Sequence, residues 1–289
     1  MKAIDYKELK KNGMMLQTQE GLFSVRLHVT GGNLGTKQLE AIREAADRFG
    51  SGEIHITIRQ AIEIPNVPHE NLVPLKEFLS TSGAPVGACG PTVRTITACP
   101  GRLVCPRGII DSPSLARKVD REFYGKPVPH KFKIGISGCP NNCIKAEEND
   151  AGIKGWIEPI WNADTCTPCG VCEAACLLKA ISMENDMLII DRKLCIGCGR
   201  CIAACPRESL TEEFRGFRLY VGGKIGRIPS LGKKILGVLE TEEDTVAALA
   251  AVIEFFRKHG KTRERFAETL TRTGFDAVEA HVKETLAQR

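Results

Sequence analysis

Apolar and polar residues alternate one by one in two short stretches near the start of the chain, which is the period of a half-buried β-strand. In the first stretch the apolar positions are Phe23, Val25, Leu27 and Val29. In the second, one face carries Ile54, Ile56 and Ile58, and the other carries His55, Thr57 and Arg59. Apolar residues recur at helical spacing over 36–49 and 70–79. This order predicts a β-α-β-α unit of ferredoxin-like type.

The rest of the chain predicts a second, mixed unit. A helix fits 114–124. Strands fit 131–137, 153–160 and 217–221. The segment after 240 is predicted to be helical and opens on a capping box at Thr241 to Asp244. The predicted fold class is therefore α+β.

Composition limits the classes of function. The 289 residues are 43% hydrophobic and 26% charged, which suits about two compact soluble domains. No apolar run has the length of a membrane span and residues 1–5 do not open a signal peptide, so we expect a cytoplasmic protein. The formal net charge of +5 is spread along the chain, which does not favour nucleic-acid binding. The 13 cysteines predict a reducing, anaerobic environment.

Most of the cysteines form one spacing that is written twice, as Cys166, Cys169, Cys172, Cys176 and then Cys195, Cys198, Cys201, Cys205. This is the ligand spacing of a ferredoxin with two [4Fe-4S] clusters, in which each cluster takes its fourth ligand from the other run. One cluster would bind Cys166, Cys169, Cys172 and Cys205. The other would bind Cys176, Cys195, Cys198 and Cys201. A disulfide framework is the alternative, although such frameworks are typical of short secreted chains.

Four further cysteines form a second arrangement, in which five residues separate Cys99 from Cys105 and three separate Cys139 from Cys143. The Gly, Pro and Asn residues around them predict tight turns that suit backbone wrapped round an inorganic core. With these spacings the chain resembles the sirohaem-dependent nitrite and sulfite reductases. Within that family it is most similar to the dissimilatory type and to the catalytic subunit of anaerobic sulfite reductase.

The resemblance implies a third [4Fe-4S] cluster, held by Cys99, Cys105, Cys139 and Cys143, and a sirohaem whose iron is also bound by Cys143. A plain structural cluster or a zinc site is the alternative for these four cysteines. The remaining cysteine, Cys89, fits neither pattern and is predicted to be a buried small hydrophobe.

The resemblance also implies a cationic cage for a small oxyanion. Its catalytic residues would be Arg59, Arg94, Lys131 and Lys133, in the segments 57–60, 93–95 and 131–133. Because side chains alternate along a strand, we expect Lys131 and Lys133 to project from one face, and Arg59 to lie on the polar face of its strand. Such cations hold an anion and donate protons to departing oxygens. Taken singly, each could instead be a solvated surface residue.

Three more residues receive cofactor-binding roles from the resemblance, namely Gln60, Lys224 and Arg227. The glycine-rich turn 222–227 lacks the context of a dinucleotide fingerprint, so nucleotide binding is not predicted. In the resembling family this segment packs near the cofactor. His130, beside Lys131, is a candidate proton relay or a surface residue.

The expected domains are a ferredoxin-like half-domain (1–84), a sirohaem and [4Fe-4S] domain (85–161 and 209–289), and an inserted two-cluster ferredoxin domain (162–208). Assimilatory members of the family carry the first two units twice in one polypeptide, whereas this chain carries one copy. We therefore expect a homo-oligomer, or a paralogous partner chain, to supply the second half.

The predicted function is the six-electron reduction of sulfite to sulfide, with electrons relayed through the ferredoxin clusters from a separate donor protein or subunit. The paired Lys131 and Lys133 favour sulfite over nitrite. Reduction of nitrite to ammonia by the same cofactors is the nearest alternative. A haem-less iron–sulfur electron-transfer subunit is the alternative from a different class.

Overall fold

The structure is a computed structural model that describes residues 5–289. Its N-terminal unit contains α1 (Tyr6–Lys11), β1 (Met14–Leu16), β2 (Leu22–Arg26), α2 (Thr36–Phe49), β3 (His55–Ile56), β4 (Ile62–Pro68) and α3 (Leu72–Thr81). The four strands form an antiparallel sheet in the order β1-β2-β4-β3. Apolar residues of β2, β4, α2 and α3 share one core beneath this sheet. The unit is thus a small sheet covered on one face by two helices.

The first alternation and both early helices are confirmed. Phe23, Val25, Leu27 and Val29 are all buried in the core. The helix predicted over 36–49 is α2, and the one predicted over 70–79 is α3, displaced by two residues. These elements follow from local periodicity, because each buries one continuous face.

The second alternation is wrong about which face is buried. β3 is an edge strand of two residues, and two of the three isoleucines face outward: Ile56 is 75% exposed and Ile58 is fully exposed, whereas Ile54 packs against the core. The chain turns immediately afterwards, where Gln60 adopts a left-handed conformation with φ 57°. Arg59 therefore lies in a turn rather than on a strand. A two-residue period identifies two faces but does not say which one is covered.

The second unit begins with β5 (Thr97–Ala98), α4 (Ser112–Phe123), β6 (Ile134–Ser137) and β7 (Ala151–Trp161). A short segment then carries α5 (Val171–Ala175), the hairpin of β8 (Ile181–Glu184) and β9 (Met187–Ile190), and α6 (Arg200–Ala204). The second unit resumes with β10 (Leu210–Val221), β11 (Lys233–Leu239), α7 (Glu242–His259), α8 (Phe266–Thr273) and α9 (Phe275–Ala287).

The main sheet has the order β11-β10-β7-β6-β5. β5, β6 and β7 are parallel, and β10 and β11 continue the sheet in antiparallel fashion. Its core joins these strands to α4, α7, α8 and α9, whereas the segment between β7 and β10 has a small apolar cluster of its own. The fold is α+β, as predicted.

Most predicted elements of this unit are present with shifted ends. α4 starts at Ser112 because the Asp111 side chain accepts the Ser114 N–H at 3.0 Å. β6 starts at Ile134 rather than at Lys131, and β10 is much longer than 217–221. The Thr241 cap is confirmed, with Oγ1 accepting the Asp244 N–H at 3.0 Å. The alternation did not reveal β1, β4, β8, β9 or β11.

No helix within residues 5–289 combines the length and the apolar character needed to cross a membrane.

Candidate active site and cluster-binding residues

Cys99 and Cys139 follow two neighbouring parallel strands, β5 and β6, so both lie at the same edge of the sheet. The Cys99 N–H donates to Ile136 O at 3.2 Å, and the Gly138 N–H donates to Cys99 Sγ at 2.9 Å. Burial raises the pKa of the Cys139 thiol, and the nearby sulfurs of Cys99, Cys105 and Cys143 raise it further. The fold therefore brings these four cysteines together.

The turn between Cys99 and Cys105 depends on close backbone packing. Gly101 has φ 68°, and a Cβ there would lie 2.7 Å from the Ser112 N. The Ser112 hydroxyl lies 3.3 Å from Cys99 Sγ. The same hydroxyl donates to Cys99 O at 3.0 Å, so the donor that would stabilise a thiolate at this sulfur is the Gly138 N–H.

The other cysteines line two separate cavities. One cavity is bordered by Cys166, Cys169, Cys172 and Cys205. The second, of about 410 Å³, is bordered by Cys176, Cys195, Cys198 and Cys201, and also by Cys139 of the first quartet. The fourth cysteine of each run thus lies with the first three of the other run. Within residues 5–289, no three His, Cys, Asp or Glu side chains converge as ligands of a single metal ion do.

β7 connects the second of these cavities to the Cys99 quartet. The Ile157 N–H donates to Gly197 O at 2.9 Å, and the Trp156 ring lies against Gly197. One residue earlier, a Cβ on Gly155 would lie 2.4 Å from Gly138 O. The loop before Cys198 and the loop before Cys139 therefore pack on three consecutive residues of one strand.

A separate cavity of about 800 Å³, called the basic cavity below, is lined by all four residues of the expected cage, Arg59, Arg94, Lys131 and Lys133. Sequence reasoning missed five further cations in its lining, which are Lys7, Lys10, Lys11, Arg26 and Arg263. His130 and Cys89 also line it, and among the described residues its lining includes neither Asp nor Glu. The residues come from both structural units, and Lys7, Lys10 and Lys11 belong to α1. The lining of the cavity is therefore strongly basic.

Arg59 is held firmly at the inner wall of this basic cavity. Its guanidinium donates to Asn149 Oδ1 at 2.7 Å and to Thr95 O at 2.8 Å. Burial lowers the pKa of Arg59 to about 10, and neighbouring Arg94 acts in the same direction. Asn149 follows Cys143 on the same loop, and its Nδ2 donates to Lys145 O. Arg59 thereby joins the N-terminal unit to the second unit.

Gln60 does not line the basic cavity. Its amide binds the backbone of Ala98 twice, through Oε1 to the N–H and through Nε2 to the carbonyl, both at 2.9 Å. Ala98 immediately precedes Cys99. In this structure Gln60 therefore positions the strand that carries a cluster cysteine.

Arg94 and Cys89 form another part of the wall. Arg94 Nη2 donates to Gly90 O at 3.1 Å, and burial lowers the pKa of Arg94. Cys89 is buried, as predicted, with 2% exposure. Its sulfur also accepts a hydrogen bond from Arg26 Nη1 at 3.5 Å, so it is more than an apolar filler.

Lys131 and Lys133 flank Phe132, which is fully buried and bridges to Val93. The expected alternation is confirmed, because both lysines line the basic cavity while Phe132 packs inward. Burial lowers the pKa of Lys133 to about 8, with Arg59 acting in the same direction. Burial likewise lowers the pKa of Lys131.

A buried ion pair between Asp150 and Arg265 holds the backbone of Lys133. The Asp150 carboxylate accepts the Lys133 N–H at 2.9 Å and two hydrogen bonds from Arg265 Nη2 at 2.9 and 3.0 Å. Asp150 is fully buried. This pair fixes the backbone from which Lys133 enters the cavity.

Like Gln60, the three other predicted cofactor residues lie outside the lining of the basic cavity. Lys224 pairs with Glu268 at 2.8 Å, and Arg227 is exposed on the glycine-rich turn. Cys143 is exposed beyond the end of β6 and is not a lining residue.

Comparison with known proteins extends over nearly the whole chain. A family model of the nitrite and sulphite reductase 4Fe-4S domain matches residues 89–289. A model of the nitrite/sulfite reductase ferredoxin-like half domain matches residues 15–80.

Two relatives come from Methanocaldococcus jannaschii. An uncharacterized protein is 34% identical over 264 residues, covering 91% of this chain and 92% of that protein. The coenzyme F420-dependent sulfite reductase is 32% identical over 270 residues, covering 92% of this chain and 43% of that protein, so the chain spans less than half of its length. The crystal structure of dissimilatory sulfite reductase I shares the fold, with a TM-score of 0.73 at 23% identity over 91% of this chain and 69% of that one. The chain therefore belongs to the nitrite and sulphite reductase family.

Proposed function

We propose that this protein is a sirohaem-dependent sulfite reductase that reduces sulfite to sulfide with six electrons. The observation that carries the proposal is the convergence of Arg59, Arg94, Lys131 and Lys133 in one cavity. These residues come from three distant segments of the sequence. Sulfite is a compact dianion, and such a set of cations suits it.

The basic cavity also fits the cofactor. Sirohaem is an iron tetrapyrrole with carboxylates around its rim, and the described part of the lining supplies many cations and no Asp or Glu. Two of these cations also have a carboxylate partner outside the lining, since Arg26 pairs with Glu63 and Lys11 pairs with Glu8. Lys7, Lys10, Lys11, Arg26 and Arg263 are the residues that would hold the rim. When bound, sirohaem would supply the iron centre at which sulfite is reduced.

The cage residues would bind the anion and supply protons. Arg59 cannot swing away, because Asn149 and Thr95 hold its guanidinium. It would therefore present a fixed positive charge. Lys133, with a pKa of about 8, can both attract the anion and release a proton near neutral pH. Each reduction to sulfide consumes protons as three oxygens leave as water, so a donor of this kind is required.

Cluster assignments form the second part of the proposal. The cysteines of 162–208 would hold two [4Fe-4S] clusters, and Cys99, Cys105, Cys139 and Cys143 would hold a third. Cys143 would also serve the sirohaem iron, although it does not itself line the basic cavity. The cavity shared by Cys139 with Cys176, Cys195, Cys198 and Cys201 supports a fixed order. The Cys166 set would receive electrons first, because its cavity lies apart from Cys139.

The quaternary arrangement and the donor are further parts of the proposal. The chain has one ferredoxin-like half domain and one 4Fe-4S domain. We propose that a second copy, or a paralogous chain, completes the cofactor site, and that electrons arrive from a separate protein or subunit in an anaerobic cytoplasm.

An absorption spectrum of anaerobically purified protein tests the cofactor, and steady-state assays with sulfite and nitrite test the substrate. We expect sirohaem bands and a larger kcat/KM for sulfite than for nitrite. Preference for nitrite would establish the alternative reductase, since the family model covers both. Clusters without sirohaem, and without activity on either anion, would overturn the proposal in favour of an electron-transfer subunit.

A further inference from the structure

Arg218 of β10 is a charged residue without a counter-charge. None of the ion pairs within residues 5–289 includes it, and its buried Nε–H has no hydrogen-bond partner in that part of the chain. Its guanidinium carbon lies 4.1 Å above the ring of Trp156. Burial lowers the pKa of Arg218, which shows that the surrounding protein disfavours the cation. A half-buried charge whose Nε–H is buried without a partner requires an explanation.

The stack leads directly to a cluster cysteine. Trp156 lies between Arg218 and Gly197, where a Cβ would be only 2.2 Å from the indole ring, so Gly197 has no room for any other residue. The Gly197 N–H in turn donates to Cys195 Sγ at 3.4 Å. Arg218, Trp156, Gly197 and Cys195 are thus in consecutive contact.

Three other cations near this loop have carboxylate partners. Arg192 pairs with Glu158, and Arg215 pairs with Glu212. Lys154, on the neighbouring strand, pairs with Glu147. Arg107, Lys193 and Arg200 also lie near this loop without an ion pair among the described residues, but all three are exposed, so solvent screens their charge. Arg218 differs from them because it is half-buried.

We propose that Arg218 is the counter-charge of the [4Fe-4S] cluster held by Cys176, Cys195, Cys198 and Cys201, and that it raises the reduction potential of that cluster. The inference rests on the cluster assignment proposed above. A cubane with four thiolate ligands is an anion in both oxidation states, and reduction adds one more negative charge. A nearby cation stabilises the reduced state more than the oxidised state. The cluster next to Cys139 would then accept electrons from the cluster of the Cys166 set.

The test is a potentiometric titration followed by electron paramagnetic resonance, on the full-length protein purified anaerobically. The signal that disappears in Cys198→Ser identifies the cluster. In Arg218→Met, which keeps the bulk and removes the charge, we expect reduction of that cluster to become at least about tenfold less favourable, which is a shift of about 60 mV to more negative potential. Arg218→Lys should retain most of the wild-type potential, and Arg43→Met, on α2 of the N-terminal unit, should leave it unchanged.

Iron analysis distinguishes failure of the tuning role of Arg218 from failure of the cluster assignment. Arg218→Met with normal iron and an unchanged potential would refute the tuning role and leave the cluster assignment intact. A wild-type protein without clusters at the Cys166 and Cys195 runs would refute that assignment, and the inference with it. If Arg218→Met does not fold, Arg218→Gln and Arg218→Lys provide the same comparison, because a charge effect requires the Gln variant to shift and the Lys variant not to.

Discussion

Substitution of Lys133 by Met removes one charge from the centre of the basic cavity and retains most of the side-chain volume. The backbone of Lys133 is fixed by Asp150, and its neighbours Lys131 and Arg59 stay in place. The variant therefore isolates the ammonium group. We expect turnover of sulfite to fall by roughly two to three orders of magnitude, with an unchanged sirohaem spectrum.

The magnitude follows from the environment of the ammonium. Lys133 is half-buried, and burial and Arg59 already disfavour its charge. An anion would reverse that imbalance: two unit charges about 4 Å apart attract by about 4 kcal/mol at an effective dielectric constant of about 20. Loss of one preorganised donor to a developing oxyanion costs about 2.7–4 kcal/mol, and each 1.36 kcal/mol is about a tenfold change in rate. The Coulomb attraction and the cost of losing one donor therefore agree with a fall of roughly two to three orders of magnitude in turnover.

The pH dependence of kcat/KM provides an independent test of the charge on Lys133. Because the pKa of Lys133 is lowered to about 8, the ammonium is present below that pH and lost above it. The wild-type kcat/KM for sulfite should therefore decline as the pH rises through about 8, and Lys133→Met should lack this decline. Ionisation of sulfite itself is common to both proteins.

Without sirohaem, Lys133→Met should melt at a higher temperature than the wild type at pH 7, since it no longer holds a charge that burial disfavours.

The assay compares kcat and KM for sulfite and nitrite with a small chemical reductant, which bypasses the protein donor. Lys118→Met is the control, because Lys118 lies on α4, pairs with Glu243 and is remote from the cavity lining. Nitrite carries a smaller charge and should be affected less than sulfite. Wild-type kinetics for both anions in Lys133→Met would show that Lys133 is only a solvated cavity residue.

Three other substitutions test separate parts of the proposal. Cys143→Ser should remove about four iron atoms per chain and abolish sulfite reduction, as measured by iron analysis and sulfide formation; full activity would contradict the bridging role. The double variant Cys169→Ser with Cys198→Ser should lose activity with a protein donor and retain it with a small reductant, whereas equal loss with both would make the insert structural. Asp150→Asn leaves Arg265 without its buried partner and should cost about 3–5 kcal/mol in the free energy of unfolding, measured by denaturant titration; a change below about 1 kcal/mol would contradict a stabilising pair.

Local patterns account for the elements that were predicted correctly. The period of 36–49 defines α2 without reference to other segments, because one apolar stripe is enough to specify a surface helix. The Thr241 cap is equally local, since donor and acceptor are three residues apart. The lysines around Phe132 follow the same reasoning: the alternation of Phe132 and Ile134 assigns Lys131 and Lys133 to the other side whatever the exact start of β6.

Where a neighbouring segment decides the outcome, the pattern alone was insufficient. The isoleucine face of β3 was expected to be buried, but no layer within residues 5–289 covers this edge strand, so Ile56 and Ile58 remain exposed while Arg59 turns inward to Asn149. Gln60 was expected at the cofactor and instead binds the backbone of Ala98. Both side chains are fixed by partners many positions away in the sequence, which no local period records.

The sequence by itself determined the α+β class and the spacing of the cysteines, because these depend on residue types at short separations. Its resemblance to the reductase family singled out Arg59, Arg94, Lys131 and Lys133 as candidate cage residues. Only the tertiary structure decided that these cations share a cavity with Lys7, Lys10, Lys11, Arg26 and Arg263. It also decided that Cys139 borders the same cavity as the Cys195 run, and that Arg218 lacks a counter-charge among the described residues. The physical reason is that electrostatic potential and cavity shape add up over groups close in space, and chain folding alone determines which groups those are.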